Sequence, residues 1–241
     1  MSRTQKEKDD QFEFEVHKMD RKEIHEAIHR RLDRIYHEFE SSFEFIKKYP
    51  KSVTFFGSAR IREDNPYYKK AEELSGRIVK ELGYSVLSGG GGGIMEASNR
   101  GAFEAGGKSV GLNIRLPKEQ LPNRYTTKSL ELSYFFVRKV ALSFAAEAYI
   151  FFPGGFGTLD EFFEIITLVQ THKIPRVPII LYGNEYWNMI KEFIEKIIYE
   201  KYQAINKEDL ELFTITENDE QIIEIIKKTP VRVSLPATRK H

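Results

Sequence analysis

An apolar run, Ala148-Tyr149-Ile150-Phe151-Phe152, breaks at Pro153-Gly154-Gly155-Phe156-Gly157-Thr158 and gives way to Phe162-Phe163-Glu164-Ile165-Ile166-Thr167-Leu168-Val169, whose apolar residues recur with helical spacing. A buried strand, a glycine-rich turn and a helix starting near Thr158 fit that pattern. Three glycines in four residues let a backbone approach a ligand closely. The helix that follows points its unpaired N–H groups back at the turn, where they and the helix dipole favour an anion, most simply a phosphate. Glu161 falls in the first turn, so a carboxylate faces the same space. A chain built on such a unit needs a sheet whose strands are covered on both faces by helices.

The unit recurs. Ser52-Val53-Thr54-Phe55-Phe56 runs into Gly57-Ser58-Ala59-Arg60, and Tyr84-Ser85-Val86-Leu87-Ser88 runs into five glycines, Gly89 to Gly93. Lys108 to Ile114, Glu131 to Phe136, Val177 to Tyr182 and Leu210 to Ile215 read as further strands or extended pieces. Helices are expected over Tyr67–Leu82, from Ile94 with small residues at Ala97, Gly101 and Ala105, over Val137–Glu147, over Glu185–Tyr202 and over Asp219–Lys228. The alternation predicts a doubly wound parallel sheet over residues 51–228, flanked by helices. Its ligands bind outside the carboxyl ends of the strands, where all three glycine turns should meet.

Each turn has a plain reading beside the functional one. Gly57 allows close approach, Ser58 can donate to a phosphate and Arg60 can neutralise it, or the segment is a tight loop with a solvated arginine. A five-glycine run costs much backbone entropy. A flexible linker would be the plain account, but this run sits between an apolar strand and a helix, the setting of a phosphate cradle. It is not the dinucleotide fingerprint, since the first turn lacks GxGxxG and no acidic residue stands about 20 positions on at a strand end. It is not a Walker A loop either, because no Gly-Lys-Ser/Thr follows. Arg138 and Lys139 stand near a helix start, where cations oppose the dipole; they answer a ligand's charge or are ordinary solvated residues.

Outside this block the chain offers less. Residues 1–50 divide into a charged arm over 1–18 and an added N-terminal helix over Asp20–Lys48. That helix carries Ile24, Ile28, Leu32, Ile35, Phe39, Phe43 and Ile46 on one face, has a capping-box start at Asp20 and Glu23, and stops before Pro50. It either covers the sheet or contacts a partner subunit. Residues 115–128, with Pro117 and Pro122, suggest a loop acting as a lid or flap. Residues 229–241 form a basic tail. His25 and His29 lie four apart without a third ligand, so no metal is expected. His17 and His37 lie in the same N-terminal segment, and His172 can cap the carboxyl end of the Glu161 helix.

Among 241 residues, Lys and Arg number 37 against 36 Asp and Glu, a net charge of +1. No overall basic field draws nucleic acid, so no nucleic-acid partner is expected. With no cysteine, disulfides, thiolate metal sites and cysteine nucleophiles are excluded. No apolar run approaches the roughly 20 residues that span a membrane, and the first residues hold no signal-peptide core. No membrane partner and a cytoplasmic location are the expectations.

Gly89 to Glu96 with Asn99-Arg100-Gly101-Ala102, then Arg138-Lys139, then Pro153-Gly154-Gly155-Phe156-Gly157-Thr158-Leu159-Asp160-Glu161, resemble the LOG ("Lonely guy") family of cytokinin-activating phosphoribohydrolases, often mislabelled lysine decarboxylases. The similarity covers roughly Ser52 to Lys196 and looks like the longer bacterial branch. It implies a Rossmann-like nucleotide-binding catalytic domain over 51–228. It also implies hydrolysis of the N-glycosidic bond of a purine nucleoside 5′-monophosphate, with or without an N6 modification, without a cofactor. Arg138 and Glu161 match the family's catalytic pair. Gly154, Gly155, Gly157 and Thr158 would hold the phosphate with Lys139, Gly57 and Ser58 nearby; Gly91, Gly92 and Met95 would border the nucleotide, and Glu96 would lie near ribose or base. The resemblance further implies a homodimer or higher homo-oligomer with interfacial sites. Molybdenum-cofactor carriers share much of the pattern, so a non-catalytic nucleotide or molybdenum-cofactor carrier is the alternative. Lysine decarboxylation would need a Schiff-base lysine on the glycine-rich rim, and none stands there.

Overall fold

A computed structural model describes residues 20–116 and 122–231. The expected arm over 1–18, the middle of the proposed flap and most of the basic tail lie outside the described residues. By its internal contacts the chain divides into two units, Met1–His37 and Glu38–His241.

Helix α1 runs Arg21–Ile46. The capping box forms: Asp20 Oδ1 accepts from the Glu23 backbone N–H at 2.8 Å, and Glu23 accepts from Asp20 N at 2.9 Å. Before His37, Ile24, Ile28 and Leu32 are exposed, and the His25 and His29 rings sit edge to face, 4.2 Å apart. From Glu38 onward the same apolar stripe packs within the second unit, where Phe43 meets Phe144 and Ile46 is buried.

Seven strands form one all-parallel sheet: β1 (Ser52–Phe56), β2 (Ser85–Ser88), β3 (Ser109–Ile114), β4 (Lys128–Leu132), β5 (Ala148–Phe151), β6 (Ile179–Leu181) and β7 (Thr214–Ile215), in the order β4-β3-β2-β1-β5-β6-β7. This is the doubly wound α/β fold read from the sequence. Side chains alternate between two helical layers. Val53, Phe55, Ala148, Ile150 and Phe152 join one cluster with Tyr68, Leu74, Ile94, Ala97 and Ile222, from helices α2 (Pro66–Arg77), α3 (Ile94–Glu104) and α7 (Asp219–Lys228). Phe151 points the other way, onto Phe162 and Trp187, from helices α5 (Phe156–Gln170) and α6 (Asn184–Phe193). The sheet order reverses between β1 and β5, the switch point at which such folds bind ligands.

Several boundaries move from the sequence reading. The fourth strand is Lys128–Leu132 and helix α4 is Phe135–Phe144, so Phe135 and Phe136 open a helix instead of closing a strand. Phe136 packs on Phe39 and Tyr134, a surface contact that imitates strand hydrophobicity. Of Leu210 to Ile215, the first two residues end a 3-10 turn, Lys207–Glu211, opened by an Asn206–Asp209 capping box, and Thr214 and Ile215 alone form β7. Helix α5 begins at Phe156, two residues early. Helices α2 and α6 run on as π-helical turns over Ile78–Leu82 and Ile194–Lys201.

Candidate active site

Three loops leave the carboxyl ends of β1, β2 and β5 side by side. Ser58 ties them together: its N–H donates to Pro153 O at 3.1 Å, and its carbonyl accepts from Ile94 N at 3.1 Å. Gly57 allows this, because a Cβ there would fall 2.7 Å from the Ile94 side chain. The loops enclose a cleft of about 950 Å³. Gly57, Ser58, Met95, Arg138, Lys139, Gly154, Gly155, Gly157, Thr158 and Glu161 all line it, with Arg60. Gly91, Gly92 and Glu96 are not among its lining residues. Glu96 lies on a smaller neighbouring cavity with Glu63 and Tyr68, and accepts from the Tyr68 hydroxyl at 3.2 Å.

One end of the cleft is a helix N-terminus, where an anion is favoured. Helix α5 starts on Gly155 without a side-chain cap; Thr158 N and Leu159 N donate to Gly155 O at 3.0 and 3.1 Å, which leaves the Phe156 and Gly157 N–H groups for another acceptor. Gly154 is required by packing, since a Cβ would sit 2.1 Å from Thr158 Oγ1. Gly155 and Gly157 are different: a Cβ at either would meet nothing within 4 Å, and neither has a positive φ. The protein's own packing has no need of glycine at these two positions, and a Gly in a helix costs about 1 kcal/mol relative to Ala. What their bare backbone offers is room for a ligand at the helix N-terminus. Tyr186, on the first turn of α6, fixes the loop by donating to Gly154 O at 2.8 Å.

Glu161 lies one helical turn further in. It is buried, and its Oε2 has no hydrogen-bond partner among the described residues. Burial pushes its carboxyl up to about 7; Arg138 and Lys139 pull it down, while Glu164 and Asp160 push it up. A group balanced there can serve as an acid or a base at neutral pH. Arg138 comes from α4 and donates from Nε to Leu112 O, in the second half of β3, at 2.8 Å. Its guanidinium lies against Gly89, where a Cβ would be 2.0 Å from Nη2. Burial draws the Arg138 pKa below that of an ordinary arginine, and Glu161 opposes the shift; the group still carries its charge. Lys139 does not reach out alone: its Nζ sits 3.0 Å from Asp160 Oδ1 and 2.6 Å from Glu164 Oε2.

The glycine run is shaped from behind by three asparagines. Asn123 N donates to Gly90 O at 2.9 Å, its Nδ2 to Gly91 O and to Asn99 Oδ1 at 2.9 Å each, and Asn113 Nδ2 to Gly90 O at 3.1 Å. With those carbonyls turned inward, peptide planarity turns the Gly91 and Gly92 N–H groups the opposite way. Asn123 comes from the second half of the segment expected to be a lid, and here it is buried as an anchor. The sequence reading missed Asn123, Asn113 and the cleft residues Tyr186 and Phe135. Tyr186 had a usable signal: it stands just past a strand end on the same rim. Asn123 had none, because its partners are backbone carbonyls distant in sequence. Among the described residues, no group of three or more His, Asp or Glu could hold a metal ion.

The family model described as "Possible lysine decarboxylase" matches residues 95–226. The chain is 26% identical over 163 residues to cytokinin riboside 5′-monophosphate phosphoribohydrolase LOG4 of Arabidopsis thaliana, covering 66% of this chain and 74% of that protein. It is 27% identical over 158 residues to a cytokinin riboside 5′-monophosphate phosphoribohydrolase of Rhodococcoides fascians, covering 64% and 78%. Among solved structures, the molybdenum cofactor carrier protein of Chlamydomonas reinhardtii aligns with a TM-score of 0.53 at 20% identity, over 74% of this chain and 96% of that one; at that identity the likeness concerns the fold. With its glycine-rich cleft at the sheet's switch point and a family model matching more than half its length, the chain belongs to the LOG family, whose model bears the lysine decarboxylase description.

Proposed function

We propose that the protein hydrolyses the N-glycosidic bond of a purine nucleoside 5′-monophosphate, N6-modified or not, to free base and ribose 5-phosphate. The observation that carries this reading is the buried carboxyl of Glu161, whose Oε2 has no hydrogen-bond partner among the described residues, one turn beyond an uncapped helix start with two open glycines. The 5′-phosphate binds at Gly155, Gly157 and Thr158, with Gly154, Ser58, Gly57 and Arg60 around it. Met95 borders the nucleotide. The ribose then lies toward Glu161. As the C1′–N bond breaks, positive charge grows on the sugar, and a nearby carboxylate stabilises it. Glu161 also accepts a proton from the attacking water, whose hydroxyl ends on C1′. The departing base takes up a proton, so one water is consumed per bond broken. Arg138, fixed by Leu112 O and Gly89, supports the phosphate-bearing sugar or the leaving base from the opposite wall.

The activity for which the relatives are named supports this substrate class. The working form in this reading is a homodimer or larger homo-oligomer, supported by the exposed Phe135 and Phe156 on the cleft rim. A cytoplasmic setting goes with phosphorylated, membrane-impermeant substrates, and no described helix is long and apolar enough to cross a membrane. The test is a panel of purine and pyrimidine 5′-monophosphates, including isopentenyl-AMP, with free base and ribose 5-phosphate quantified together. Equal amounts of both products from a purine nucleotide are expected. A protein that copurifies with an intact nucleotide or pterin cofactor and releases no base from any member is a carrier, and the proposal fails.

A further inference from the structure

Among the described residues that line the cleft, Lys139 is the basic group whose ammonium is ion-paired to protein carboxylates. Its side chain is 23% exposed, and its ammonium bridges Asp160 and Glu164, one turn apart on α5. Those two residues flank Glu161, which follows Asp160 directly and precedes Glu164 by three. On a helix, positions three and four apart share a face. The residue before Lys139 is Arg138, so α4 delivers the arginine into the cleft and the lysine onto the helix that carries the carboxylate. We infer that Lys139 is a positioning residue, not a phosphate ligand: it clamps α4 to α5, fixes Arg138 against Glu161, and screens Glu161 from the two carboxylates beside it.

The electrostatics around Glu161 agree with that arrangement. Arg138 and Lys139 face it from α4, Asp160 and Glu164 from α5, with Arg60 and Tyr186 on other walls of the cleft. Burial works against the charge on Lys139, but its bonds to Glu164 and Asp160 hold its pKa above the ordinary lysine value. It therefore stays charged at every pH at which Glu161 titrates. Removing it withdraws one positive charge and exposes two negative ones, and both changes favour the protonated form of Glu161.

This inference rests on the nucleosidase reading for its kinetic arm only. In that arm, Lys139→Met is expected to lower kcat about tenfold and move the acidic limb of the pH–rate profile up by about one pH unit, with KM for the nucleotide changed less than about threefold. Lys139→Arg restores kcat, because it keeps the charge between the two carboxylates. Adding Asp160→Asn and Glu164→Gln to Lys139→Met returns the limb toward its starting pH. A KM raised tenfold or more by Lys139→Met with the limb unmoved identifies a phosphate ligand and overturns the inference. The second arm needs no turnover: the carboxyl carbon of Glu161, assigned by comparison with Glu161→Gln, is titrated by NMR in wild type and in Lys139→Met. An upward move of the midpoint supports the clamp even if no nucleotide is hydrolysed. An unmoved midpoint in a folded variant refutes it.

Discussion

Burial outweighs the pull of Arg138 and pushes the Glu161 carboxyl up to about 7, and this balance bears on how both activity and stability change with pH. In the proposed reaction the carboxylate is the working form, so kcat/KM rises with pH through about 7 and then levels. Stability runs the other way. A carboxyl with a folded pKa of about 7 binds a proton in the native state that the unfolded chain, with an ordinary glutamate near 4.5, has already released. Its contribution is therefore complete below pH 4.5 and lost as the pH rises to about 7. Replacing it with Gln removes that titration. Glu161→Gln is expected to gain stability on wild type between acid and alkaline pH, by up to about 3 kcal/mol, as read by denaturant unfolding at a series of pH values. A difference between the two proteins that stays flat with pH would show that the carboxyl titrates normally.

At the level of elements, the cleft is three strand-to-helix turns held at one knot, Ser58. Those turns were legible because an apolar run followed by glycine leaves few alternatives. What stood behind them was not: Asn113 and Asn123 act on carbonyls of Gly90 and Gly91 from 23 and 32 residues away, and nothing in local spacing announces such partners. Lys139 was legible as a cation near a helix start, but its two carboxylate partners, Asp160 and Glu164, come from another helix and no local spacing announces them. The start of α5 carries its own prediction. Gly157 is helical and a Cβ there meets nothing. Gly157→Ala should therefore raise stability by about 0.5–1 kcal/mol while weakening nucleotide binding at least tenfold, because the methyl occupies the phosphate's space. Thermal unfolding and nucleotide titration of the same preparation measure both. Unchanged affinity would mean that the anion does not bind at this helix start.

For the whole molecule, alternation of apolar runs and helical spacing carried the fold: a parallel sheet with β1 and β5 at its centre, and the cleft where their order reverses. The sequence reading blurred at the sheet's margins. Residues 131–136 looked like a strand because Phe135 and Phe136 are apolar, yet both are exposed on α4 and one packs on α1. Residues 210–215 looked like a strand because they alternate, yet the Asn206–Asp209 cap winds their first part into a turn. Edge elements are set by such local contacts, whereas central strands are set by burial on both faces. The cleft, fixed by the central strands, is the part of the molecule on which the functional account depends. Its central claim is that Glu161 acts on the sugar of a nucleotide held by its phosphate, and base release by wild type and Glu161→Gln, measured beside nucleotide binding by both, tests it most directly. The account predicts stoichiometric base and ribose 5-phosphate from wild type, with turnover at least about 10²-fold lower in the variant and binding retained. Turnover by Glu161→Gln within a few-fold of wild type would contradict it.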